Sequence, residues 1–120
     1  MNQGFKDKLF YVNFLKFVEN ISVMTLIEFN KTLSENNPPQ NISEILEALW
    51  YDAKSDWESS HNIAQSQEGS QEYDRLHAYL HRKEGDNWNA NYWYRKAKAT
   101  MPKLSLEEEW IFLVNVELSK

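Results

Sequence analysis

The sequence predicts an all-α fold, with about five to six helices arranged as stacked antiparallel hairpins. Three observations predict it. Apolar residues recur at helical spacing in successive segments after Met24. The three glycines and three prolines are few and scattered but for Pro38-Pro39, which favours long helices over many short strands with tight turns. Two stretches of the chain also superimpose at a constant offset, the mark of a repeated supersecondary unit.

The first 23 residues differ in character from the rest. Phe10, Phe14, Phe17, Val18 and Ile21 follow helical spacing, which makes an added helix or a loosely ordered N-terminal extension the expectation for residues 1–23. A secretory leader fits poorly, because the apolar stretch Leu9–Leu15 is short and Asp7 sits where a basic head belongs. Lys16 and Glu19 interrupt any membrane span, which needs about 20 apolar residues. The domain proper is expected over residues 24–120.

Thr25 with Glu28 forms a capping-box pattern, and Phe29 and Leu33 continue the apolar stripe of the first domain helix. Asn36-Asn37-Pro38-Pro39 ends it, since proline disfavours helical geometry in the residue before it. Ser43 then caps a helix with Ile45, Leu46, Leu49, Trp50 and Ala53 on one broad face. Asp56 caps the next, expected over roughly residues 57–67. After Glu68-Gly69-Ser70 a helix over about 71–84 carries Tyr73, Leu76, His77 and Leu80. Gly85-Asp86 closes it and opens a helix to about Lys98, with Ala90, Trp93, Tyr94 and Ala97 inward. Met101-Pro102 ends that one. Ser105 and Glu108 cap a last helix bearing Leu106, Trp110, Leu113, Val114 and Leu118.

The repeat runs from Ala48, Asp56, Ser60 and Ala64 to Ala78, Asp86, Ala90 and Tyr94, a thirty-residue offset. Small residues at Ser60 and Ala90 let the second helix of each hairpin approach the first. Such hairpins bury their faces only by stacking, so the terminal helices are expected to act as caps. The offset is shorter than the 34 residues of a standard tetratricopeptide repeat.

Gly85-Asp86, Asn89-Ala90, Tyr92-Trp93-Tyr94 and Lys96-Ala97 together resemble the second half of a tetratricopeptide or Sel-like repeat. More specifically, Ala48–Ala53 with Asp56-Trp57, His61 and Ala64-Gln65 resembles a family of small uncharacterised bacterial proteins. His77–Asp86 matches its second block. The resemblance covers about residues 24–117. Ser55 departs from a position where that family tends to have glycine, and Ser60 from one where it tends to have alanine. The resemblance implies a tetratricopeptide-like α-α superhelix and no particular activity.

Composition narrows the function classes. The chain has no cysteine, which removes disulfides, thiolate nucleophiles and cysteine-bound zinc and fits a cytoplasmic protein. Its 13 basic against 18 acidic residues give a net charge of −5, the wrong balance for a nucleic-acid binder. No membrane partner is expected.

The candidate chemistry centres on histidine. His77 and His81 are four apart and share a helix face, and His61 on the preceding helix is placed to join them. Two histidines at this spacing chelate zinc in some enzymes, but Ala78 stands where a metalloprotease carries its glutamate. Glu84 and Asp74 lie one turn from His81 and His77. The plainer expectation is that His77 is buried or half-buried, hydrogen-bonded across the hairpin, with His81 at its edge. No catalytic residue, metal ligand or cofactor is assigned. A polar pocket here draws on His61, His77, His81, Arg82, Trp50, Trp57 and Tyr94, residues suited to an anionic or planar ligand. Packing alone also accounts for Trp50, Trp93 and Tyr94, and Glu107-Glu108-Glu109 reads as an acidic first helical turn. The leading expectation is therefore a non-catalytic protein- or peptide-interaction module. The alternative is a small ligand- or metal-binding protein, or enzyme, using His61, His77 and His81.

Overall fold

The structure is a computed structural model that describes residues 24–120; the extension expected over residues 1–23 lies outside them. The described residues are all-helical: α1 (Leu26–Thr32), α2 (Glu44–Ala53), α3 (Trp57–Gln65), α4 (Gln71–Lys83), α5 (Asn87–Lys96) and α6 (Leu106–Leu118).

Five of the six starts follow from a side chain that satisfies the first free backbone N–H groups. The boxes at Thr25/Glu28 and Ser105/Glu108 are both formed. Ser43 Oγ accepts from Leu46 N at 3.2 Å, and the Asp56 and Asp86 carboxylates accept from Ser59 N and Asn89 N at 3.1 and 3.2 Å. Ser70 makes no such bond. The buried Asp74 carboxylate instead accepts from Gly69 N at 3.1 Å, holding the turn before α4 from inside.

Helix ends repeat as faithfully as starts. At residues 51–56, 81–86 and 94–99 the chain closes with the same pair of backbone bonds. Asp56 N, Asp86 N and Ala99 N reach back five residues, and Ser55 N, Gly85 N and Lys98 N reach back three. This is the Schellman arrangement, and it needs one left-handed residue. Gly85 takes that role at φ 86°, Ser55 at 65° and Lys98 at 58°. A residue with a Cβ is strained there by about 1–2 kcal/mol, while glycine loses more chain entropy on folding. We expect Ser55→Gly to stabilise the fold by about 0.5–1 kcal/mol, read as a rise of several degrees in melting temperature. Gly85→Ala should do the reverse. A Ser55→Gly protein that melts lower than wild type would show that this turn is held by the serine side chain.

The pairs α2–α3 and α4–α5 form hairpins, α3 packs on α4, and α6 folds back over α1, α2 and α4. The main core joins Phe29, Leu49, Trp50, Leu76, Leu80 and Val114, and a smaller one joins Ala78, Ala90 and Tyr94. Ser60 and Ala90 are fully buried, the small residues at which paired helices close. One expectation on α2 fails. Ala53 is exposed, and Asp52 occupies the inner position. Its carboxylate accepts from Tyr79 Oη at 2.8 Å and pairs with Lys83 Nζ at 2.8 Å, so α4 supplies the partners that make a buried acid tolerable. The expected α3 end also moves, since the helix stops at Gln65 and residues 66–69 form the turn.

Candidate functional site

Where α3 meets α4, three imidazoles converge. His61 comes from α3, one turn after Trp57; His77 and His81 come from successive turns of α4. Ring centroids lie 4.6 Å apart for His61–His77, 5.2 Å for His61–His81 and 4.9 Å for His77–His81. One ring nitrogen from each lies within 4.8 Å of the others. His61 Nε2 and His77 Nε2 are 2.9 Å apart, a hydrogen bond that holds a single proton between two neutral rings.

Indole planes wall the cluster. Trp57 stacks on His61 at 4.5 Å and 12°, and is fixed there because its Nε1 donates to Leu80 O at 2.9 Å. Trp93, from α5, stacks on His77 at 3.9 Å and 15°. His77 is only 3% exposed, and its Nδ1 has no partner. His61 and His81 are half-buried.

His81 has a defined orientation. Its Nδ1 lies 2.7 Å from Glu84 Oε1. An ionised carboxylate only accepts, so Nδ1 carries hydrogen and the neutral ring keeps its lone pair on Nε2. Burial, then the neighbouring His61 and His81, push His77 down from its ordinary value to about 3. His61 is also lowered, by burial and then by His81, with Glu84 and Glu68 opposing. His77 is therefore a neutral base at pH 7.

The seven residues named from sequence divide. His61, His77, His81 and Trp57 come together. Trp50 is buried elsewhere, its Nε1 donating to Thr32 O at 3.3 Å beneath the Lys54 ammonium. Arg82 and Tyr94 turn to a different centre, the fully buried Glu109. Arg82 and Arg75 each pair with its carboxylate at 2.6 Å, and Tyr94 Oη donates to it at 2.6 Å. Of the flanking acids, Glu84 meets His81 while Asp74 is spent on the Gly69 turn. Asp86 lies near His81 and Glu84, but its oxygens already hold Asn89 N and Nδ2. Ser59 Oγ donates to Asp56, so it does not pair with His61.

Away from the histidines, a concavity of about 250 Å³ runs between α4 and α6. Ile45, Leu76, Ala97, Leu113, Val116 and the half-exposed Phe112 line it, and Lys120 bridges Glu72 and Glu117 at its edge. Nothing in the sequence pattern marked this cleft, because it is built from four separate segments. Among the described residues no helix is long and apolar enough to cross a membrane. Comparison with protein-family models, curated proteins and solved structures returns no match.

Proposed function

We propose that the protein is a small binding protein of the helical-hairpin type, cytoplasmic and non-catalytic, whose ligand is held where His61, His77 and His81 meet. One observation carries the reading: three imidazoles from two helices gather between Trp57 and Trp93, with His61 and His81 partly exposed. Convergent polar groups set against aromatic rings are a common feature of ligand sites. The interactions found for Ser59 and Glu84 support binding over nucleophilic catalysis, since neither sets up a nucleophile beside its base.

A ligand that binds only the folded state raises its stability, by about 2.7 kcal/mol at a hundred times the dissociation constant. A melting screen of the wild-type chain against metal salts, small carboxylates, phosphate and planar aromatics tests the reading. At least one compound is expected to raise the wild-type melting temperature by several degrees and to lose that effect in His61→Ala and in His81→Ala. A screen in which every compound acts equally on all three proteins would remove the site.

A second reading rests on the α4–α6 cleft, whose apolar lining suits a peptide segment. It keeps the interaction-module function and the tetratricopeptide-like comparison, and moves the binding surface. A pull-down whose partner survives replacement of all three histidines, but is lost in Phe112→Asp, would place function there.

A further inference from the structure

Resting on the reading that the imidazole cluster holds the ligand, we propose that the ligand is a divalent d-block cation of the zinc type. His61, His77 and His81 bind it through Nε2, and Glu84 orients the third ring. The geometry is close to what coordination needs. Zinc–nitrogen bonds of about 2.0–2.1 Å in a tetrahedral site set ligand nitrogens about 3.3 Å apart. His61 and His77 stand at 2.9 Å and need to part by only a few tenths of an ångström. The third nitrogen lies within 4.8 Å of both, within reach of a small rotation of the His81 ring.

Second, the ring already held by a partner is in the right tautomer. Glu84 takes the Nδ1 hydrogen of His81, which leaves Nε2 as the donor, the carboxylate–histidine pairing that supports metal ligands. His61 and His77 share one Nε2 hydrogen, and a cation arriving between them moves it to the donor ring's own Nδ1, so that both rings then carry hydrogen on Nδ1. In His77 the Nδ1 hydrogen sits in a buried place without a partner, a cost small against coordination.

Third, charge separates a cation from the anionic ligand that a histidine–arginine pocket would suggest. Arg82 is turned away to Glu109, so its guanidinium is not available to the cluster. The carboxylates of Glu84, Asp86 and Glu68 act on the cluster. An anion would meet these negative groups here, and a dication is drawn in. An all-imidazole set suits zinc, copper, nickel or cobalt, and not calcium or magnesium, which take oxygen ligands. His61 and His81 are partly exposed, the His81 side chain by 12%, and entry and a fourth, exchangeable ligand would come from their side.

The test uses the full chain, stripped with chelator and titrated with zinc chloride, with cobalt(II) as the spectroscopic probe. One zinc per chain is expected, and the cobalt form should show the intense visible absorption of a tetrahedral site. His61→Ala and His81→Ala should each weaken zinc binding at least 100-fold while keeping the wild-type helical circular dichroism. Glu84→Gln should weaken it about 10–100-fold with the stoichiometry retained. His81→Gln serves if the alanine variant folds poorly. Zinc affinity unchanged in His61→Ala overturns the site, and affinity unchanged in Glu84→Gln overturns the role of Glu84. A melting shift from a non-metal compound that needs His61 and His81, without any zinc or cobalt response, overturns the cation and leaves the binding reading standing. No response to anything in the screen overturns both.

Discussion

Replacing Glu109 with alanine is expected to destabilise the fold by about 3–5 kcal/mol, a large share of the roughly 5–15 kcal/mol a domain possesses. The carboxylate is fully buried and accepts from Arg75, Arg82 and Tyr94, so three segments of the chain are tied at one point. Arg75 also lies over the Tyr94 ring at 4.9 Å. Burial, then the adjacent carboxylate, push the Tyr94 phenol up, which keeps it a neutral donor. Removing the acid strands two guanidinium groups, each largely covered, and one phenol. Most of the loss comes from those orphaned donors, and little from the attraction that has gone. The combined variant Glu109→Leu, Arg75→Met, Arg82→Met should therefore recover much of the stability lost in Glu109→Ala. Urea unfolding of wild type, Glu109→Ala and the combined variant measures this. If Glu109→Ala unfolds within about 1 kcal/mol of wild type, the buried hub does not exist as described.

That hub also shows what the sequence made legible and what it did not. Caps, turns and stripes are local, and Thr25, Ser43, Asp56, Asp86 and Ser105 each act where the pattern placed them. The thirty-residue offset was readable because both hairpins close with the same backbone turn, even though Ser55 replaces glycine in the first. Glu109 was hidden inside an acidic run that looked like a first-turn preference. The available signal was its register, three residues after Leu106 and four before Leu113, on the buried stripe of α6. Asp52 is the same case on α2, three residues after Leu49. Arg82 follows His81 directly, yet adjacent helical residues diverge by about 100°, which sends the two side chains to different centres. Spacing alone brought the three histidines together. The Trp93 wall was out of reach of spacing, since it arrives from a helix beyond the next turn.

Acidification is expected to weaken the fold through His77, and to do so by about 2 kcal/mol between pH 8 and pH 5. The sign follows from linkage. In the folded chain His77 is held neutral, its value lowered to about 3 by burial and by the neighbouring His61 and His81. In the unfolded chain it titrates near 6.5. Between those values the unfolded state binds a proton that the folded state refuses, so stability is full above about 6.5 and falls as pH drops below it. The limiting slope is about 1.4 kcal/mol per pH unit for one such group. His61 is shifted in the same direction and adds to the slope, tempered by the Glu84 and Glu68 carboxylates. Urea unfolding with chelator present, at a series of pH values, compares wild type with His77→Gln. The glutamine variant has its own absolute stability, so the decisive quantity is the difference between the two curves. It should shrink in favour of the variant by about 2 kcal/mol from pH 8 to pH 5. Carbon and proton shifts of the His77 ring should meanwhile stay those of a neutral imidazole down to pH 5. Parallel curves, or a ring that titrates near pH 6.5 in the folded protein, would mean that His77 is open to water and that the stacked cluster does not form.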